Sequence, residues 1–152
     1  MQRCHQCKAG ELESVKVERS VEVGPRTFVA TVPCIRCSGC GEETQTGAGL
    51  EALNLAVASE LMHHREVTPE SFRFICRVLG VRACDVARVI GVLPDTISEW
   101  RSTRQPVDRG TSFLIAAKVL VELEGPTTVE RLIGLLGSKP LPLRVHLDLE
   151  RE

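Results

Sequence analysis

The chain has 152 residues, 43% hydrophobic and 26% charged, a balance that excludes a disordered polymer and leaves room for one ordinary domain or two small ones. A net charge of −1 argues against a protein coated in nucleic acid, and one Trp, four Phe and no Tyr leave the cores to Leu, Val, Ile and Ala. The apolar runs fall well short of the ~20 residues that span a bilayer and the start lacks an apolar signal region, so a soluble cytoplasmic protein with no membrane partner is expected.

The seven cysteines are unevenly spread. Cys4 and Cys7 open the chain, Cys34, Cys37 and Cys40 follow some thirty residues later, and Cys76 and Cys84 stand alone. A reducing compartment does not sustain a disulfide framework, so clustered Cys-x-x-Cys pairs point to metal. Between the two clusters, Leu12, Val15, Val17, Val21 and Val23 mostly alternate with charged residues, as in a half-buried strand over 11–23. Gly24-Pro25 supplies a turn, and Arg26–Val32 reads as the returning strand. Such a hairpin carries the second cluster back to the first.

Four thiolates held tetrahedrally are the preferred shell of a structural Zn²⁺, and two Cys-x-x-Cys knuckles fill it with no open position. The first knuckle is Cys4/Cys7. Cys34, Cys37 and Cys40 offer two overlapping candidates for the second. Cys37/Cys40 is favoured because Gly41, directly after the last ligand, gives the tight turn its freedom in φ. Cys34 is then a spare thiol at a strand end. The rival reading is thiol–disulfide redox chemistry, but such motifs open a helix in a βαβ unit, whereas these flank a hairpin. His5 reads as a turn residue facing solvent, and His63, His64 and His146 fit no ligand pattern. Catalytic zinc requires an open position and a general base, which four thiolates do not leave, so no enzyme is expected.

Residues 48–64 read as a helix with Leu50, Leu53, Val57 and Leu61 on one stripe. A second unit then opens with Thr68 as cap, Pro69 in the first helical position and Val67 stapled onto Phe72. Phe72, Ile75, Cys76 and Leu79 give a helix ending at Gly80. Short helices at 83–90 and 94–102 follow, then a longer one at 110–123. A capping box at Thr127 and Glu130 starts a last helix carrying Val129, Leu132, Ile133 and Leu136, which Gly137 and Pro140 end. The tail 141–152 alternates Leu143, Val145, Leu147 and Leu149, the pattern of an added strand or of a segment swapped onto a partner. The expected fold class is therefore α+β, with a small N-terminal zinc-binding β-hairpin domain bearing one helix, followed by an all-α helix-turn-helix domain. The expected boundaries are 1–66, 67–137 and a tail at 138–152.

Residues 83–102 match the helix-turn-helix template. Val86 and Ile90 form the inner face, Ala87 is small at the helix crossing, Gly91 takes the turn, and Val92, Ile97 and Trp100 bury the second helix. Charge supports this placement: residues 1–67 carry seven Lys/Arg against nine Asp/Glu, while 73–109 carry seven Arg against four acids. A second helix of this kind enters the major groove. Its outward residues include Asp95, Thr96, Ser98, Glu99 and Arg101, with Asp and Glu able to accept from cytosine N4. Arg101, Arg104, Arg109 and Arg82 or Arg88 are candidates for phosphates.

With both parts in place, the chain resembles the MqsA-type antitoxins, a YgiT-type zinc finger joined to an Xre-like helix-turn-helix domain. The likeness rests on Met1-Gln-Arg-Cys4-x-x-Cys7, the strand pair, Val32-Pro33-x-x-x-Cys37-x-x-Cys40-Gly41-Glu42, and the run from Phe72 to about Leu123. It implies one structural Zn²⁺ per chain on Cys4, Cys7, Cys37 and Cys40. It implies a zinc domain that neutralises a ribonuclease toxin, MqsR-like or other, and a C-terminal domain that forms a homodimer on double-stranded operator DNA and represses its own operon. The family's groove-reading Asn and Arg fall on Asp95 and Glu99 here. Two other classes compete: a free-standing zinc-containing regulator, metal- or redox-responsive through Cys34, and a protein-interaction adaptor whose acidic helix 94–102 never touches DNA.

Overall fold

A computed structural model describes residues 3–102, 107–126, 129–137 and 139–150 and gives a mixed α+β chain with a small sheet and six helices. The alternation of valine and charge produces a long hairpin of β1 (Leu12–Val23) and β2 (Arg26–Cys37), antiparallel and in unbroken register from the Leu12–Cys37 pair to the Val23–Arg26 pair. Gly24, at φ +57°, turns it. β2 continues past the expected end at Val32, through Pro33 and on to Cys37. The N–H groups of Thr27 and Cys37 donate away from β1, to Leu143 O and Glu42 O, so by alternation the nitrogen of Pro33 also faces that far edge. There β3 (Glu43–Gln45) pairs with residues 34–36 and β4 (Arg144–Leu147) runs parallel to residues 27–30, so Pro33 falls in the gap where no ladder bond is required of it.

The tail thus adds a strand to the chain's own sheet. β2 is central, with β1 along one edge and β3 and β4 sharing the other. Its inward residues Phe28, Ala30, Val32 and Cys34 are buried. α1 (Gly47–His63), capped by Thr46 accepting from Gly49 N–H, lays Leu53, Val57, Ala58, Leu61 and Met62 over them. Leu50, expected on the same stripe, lies 46% exposed.

α2 (Pro69–Leu79) starts as expected: Thr68 Oγ1 accepts from Ser71 N–H and Ser71 Oγ from Thr68 N–H, with Pro69 in the first turn and Gly80 left-handed at the end. The expected Val67–Phe72 staple is replaced by a division of labour. Val67 joins the main core, while Phe72 belongs to a smaller one with Ala87 and Ile97. α3 (Ala83–Ile90) and α4 (Pro94–Ser102) make a corner, and α5 (Arg109–Glu124), capped by Asp108, packs on α1. α6 (Val129–Leu136) contributes Leu135 to the main core. Thr127 and the side chains of Val129, Glu130, Leu132 and Leu136 lie outside the described residues.

The main core is continuous across the chain, joining β2, α1, Phe74 and Ile75 of α2, Ile115, Ala116, Val119 and Leu120 of α5, and Leu141 and Val145 of the tail. At its rim Arg26 Nη2 donates to Glu66 Oε1 at 3.0 Å, with both side chains more than four-fifths buried, and Leu141 N–H reaches the same oxygen. That one carboxylate fastens the hairpin turn, the α1–α2 link and the tail together. Among the described residues, no helix is long and apolar enough to cross a membrane.

Candidate metal centre

The hairpin ends beside its own beginning. Arg3 and Glu11 form a β-bridge, Ser38 N–H donates to Glu11 O, and Glu11 N–H donates to Ser38 Oγ, so the segment before β1 is bound to the segment after β2. Each segment turns tightly at its cysteines. Lys8 N–H returns to Cys4 O with Lys8 at φ +58°, and Gly41 N–H returns to Cys37 O with Gly41 at φ +74°.

These turns bring Cys4, Cys7, Cys37 and Cys40 to one point, with all four sulfurs within 4.8 Å of one another. Cys4 Sγ lies 3.7 Å from Cys40 Sγ, and Cys7 Sγ lies 3.6 Å from Cys37 Sγ. A disulfide requires about 2.05 Å. A tetrahedron of thiolates around zinc, with bonds of about 2.3 Å, has edges of about 3.8 Å. Both distances are close to such an edge and far from a disulfide. The cluster can hold one metal ion and is compatible with one structural zinc. Cys34 is not in it: that thiol is 1% exposed and lies in the main core, opposite Val15.

Backbone amides tune the sulfurs. Gly10 N–H donates to Cys7 Sγ and Gly39 N–H to Cys37 Sγ, each at 3.3 Å. The N–H groups of Ala9 and Gly10 lower the Cys7 thiol to about 6, and that of Cys7 lowers Cys4. The Glu42 N–H pulls Cys40 the same way, yet hydrogen bonding with Cys37, burial and the sulfurs of Cys4 and Cys7 outweigh it and push Cys40 up to about 12. Crowded by the neighbouring sulfurs, Cys40 resists ionising by itself. A bound dication reverses that logic and holds the complete set as thiolates.

Two glycines that the cysteine pattern did not flag are part of the centre. A Cβ on Gly10 would stand 2.3 Å from Cys37 Sγ and 2.6 Å from Gly39 N, and one on Gly39 would stand 3.0 Å from Gly10 Cα. The two knuckles meet glycine to glycine. The signal in the sequence is a Gly two or three residues after a ligand, where its amide bonds that ligand's sulfur.

The α3–α4 corner is distinct from this centre. Gly91 is left-handed at φ +75°, its N–H bonds Ala87 O, and Ala87 and Ile97 are buried against Phe72. On α4, Asp95, Ser98 and Glu99 are exposed, while Thr96 is half-buried. Arg104 and the side chains of Arg101, Arg109, Ile90 and Trp100 lie outside the described residues. Arg82 and Arg88 are exposed beside Asp85, whose carboxyl Arg82 holds below the usual range. His63 meets Glu124, and His64 meets Glu60 and Lys139 O, so neither approaches the cysteines.

Neither a family model nor a curated protein sequence matches this chain.

Proposed function

We propose that the chain is a non-enzymatic regulator in which Cys4, Cys7, Cys37 and Cys40 bind one structural Zn²⁺ and the α3–α4 corner serves as a helix-turn-helix on double-stranded DNA. The observation that carries the first half is the convergence of four sulfurs at tetrahedral spacing, each in a knuckle with amides aimed at it. A left-handed Gly91 with Ala87 packed on Ile97 supports the second half, because that pairing sets a close, sharply turned helix crossing.

On this reading Asp95, Thr96, Ser98, Glu99, Arg101 and Arg104 face the groove or its phosphates, a homodimer forms through the C-terminal helices, and the protein acts in the cytoplasm. The finer proposal is an antitoxin that neutralises a ribonuclease toxin through its zinc domain and represses its own operon. It rests on the likeness of cysteine pattern and domain order to MqsA-type antitoxins.

The exposed carboxylates of Asp95 and Glu99 favour a second reading, in which α4 docks on a protein rather than on DNA. One experiment separates the two. Purification of the chain from its native source, followed by duplex binding across a salt series, is expected to yield a basic protein partner and a salt-dependent complex. Absence of duplex binding at physiological ionic strength refutes the DNA reading and leaves the adaptor.

A further inference from the structure

The four sulfurs of the metal centre do not present themselves equally to solvent. Cys4 and Cys37 are buried, Cys7 is half-buried, and Cys40 alone of the four is exposed. Backbone closes one side of the cage. Where the two knuckles meet, a Cβ on Gly10 would stand 2.3 Å from Cys37 Sγ, and one on Gly39 would stand 3.5 Å from Cys7 Sγ. The corner at Cys40 is open, since a Cβ on the next residue, Gly41, would meet nothing within 4 Å. Behind that open corner stands a buried sulfur, Cys4 Sγ, 3.7 Å from Cys40 Sγ. An accessible thiolate with a second cysteine within reach is the arrangement that supports reversible oxidation.

We infer that Cys40 is an oxidation site for peroxides with Cys4 as its resolving partner, and that the cage gives up its ion when the two are joined. The inference rests on the zinc reading above, because an ion held by all four sulfurs keeps Cys40 a thiolate. The Cys40 thiolate attacks one peroxide oxygen, the O–O bond breaks, and hydroxide leaves behind a sulfenic acid. The Cys4 thiolate then attacks that sulfur, the S–O bond breaks, and a second hydroxide leaves. Two thiolates have lost two electrons, and the peroxide has gained both. Closing 3.7 Å to the length of a disulfide moves each sulfur by about 0.8 Å. Cys7 and Cys37 remain as the only thiolates, too few to retain Zn²⁺ in a four-ligand shell.

The oxidised chain keeps its hairpin closed. Cys4 precedes β1 and Cys40 follows β2, so the new bond spans the gap that Glu11 and Ser38 already bridge with two hydrogen bonds. Cys34 takes no part, being 1% exposed within the main core. The response belongs to the open corner of the cage and not to the spare thiol.

The test takes the full zinc-loaded chain, freed of reductant, and adds hydrogen peroxide in steps. Released zinc is read with a chromophoric chelator, and linkages by peptide mass after alkylation. Zinc is expected to leave as a Cys4–Cys40 linkage appears, and a dithiol with added Zn²⁺ to restore the loaded chain. Cys84→Ser removes the other exposed thiol and is expected to leave the release unchanged. Cys40→His offers a shell of three cysteines and one histidine, which also holds structural zinc, but it cannot form the linkage. It is expected to lose the release. If Cys40→His binds no zinc, the linkage map of the wild type carries the test. Zinc retained through excess peroxide overturns the proposal, as does a first linkage other than Cys4–Cys40, or a loaded Cys40→His that releases zinc as the wild type does. A chain that holds no zinc before peroxide is added refutes the zinc reading itself, and the proposal with it.

Discussion

Gly10→Ala is the sharpest test of the metal centre. The added methyl stands 2.3 Å from Cys37 Sγ and 2.6 Å from Gly39 N, with backbone on one side and a ligand on the other. Ordinary contact begins near 3.4 Å, so the knuckles must part by about 1 Å, whereas a metal site tolerates ligand displacements of about 0.2 Å. Overpacking of this kind costs about 1–3 kcal/mol, which appears as zinc binding weakened roughly 5- to 150-fold. The assay is competition against a chromophoric chelator under reducing conditions. Gly41 is the control: a Cβ there meets nothing within 4 Å, but its φ of +74° strains any L side chain. Asn tolerates that region, so Gly41→Asn is expected to bind zinc more tightly than Gly41→Ala. Gly10→Asn gains nothing over Gly10→Ala, since its difficulty is space. Gly10→Ala with wild-type zinc affinity refutes the close knuckle contact and with it the four-sulfur cage.

Cys4→Ser or Cys40→Ser is expected to abolish stoichiometric zinc by elemental analysis, while Cys34→Ser retains one ion per chain. Glu66→Ala strips Arg26 and the Leu141 N–H of their shared acceptor. Leaving a mostly buried guanidinium unpaired is expected to lower unfolding stability by about 2 kcal/mol, read as a lower urea midpoint at constant slope, with Glu66→Gln losing less. Arg101→Ala is expected to weaken duplex binding evenly across sequences and to flatten its salt slope by about 1; an unchanged slope takes Arg101 off the phosphate contacts.

The sequence is most legible where a residue type has one physical use. The two cysteine clusters mark a candidate four-sulfur shell because four soft donors around one ion is a narrow requirement; spacing fits Cys34/Cys37 as well as Cys37/Cys40, and β2 separates Cys34 by turning it inward. Thr68, Gly80 and Gly91 mark helix ends because capping and left-handed backbone are chemically specific. The extension of β2 past Pro33 is hidden, since a proline in an apolar run argues against a central strand. Only the division of the far edge between β3 and β4 makes it harmless. The tail's partner is hidden for the same reason: alternation at Leu143, Val145 and Leu147 announces a strand but carries no information about which edge it meets. Leu50 shows the converse, since helical periodicity marks a stripe without fixing how far the partner surface extends.

The metal end and the helical end are not mechanically separate. β2 finishes at Cys37, and the same strand presents Phe28, Ala30, Val32 and Cys34 to α1, which in turn carries α5. An ion that fixes Cys37 therefore fixes the end of the strand on which the main core is laid. Among the described residues the smaller core of Phe72, Ala87 and Ile97 is a separate cluster, and α2 contributes to both, with Phe74 and Ile75 in the main core and Phe72 in the corner. Zinc loss should thus loosen the sheet and α1 first and the α3–α4 corner last. An ion held by the four cysteines would brace the strand that carries the main core, and α2, which shares residues with both cores, links that core to the corner proposed to meet DNA.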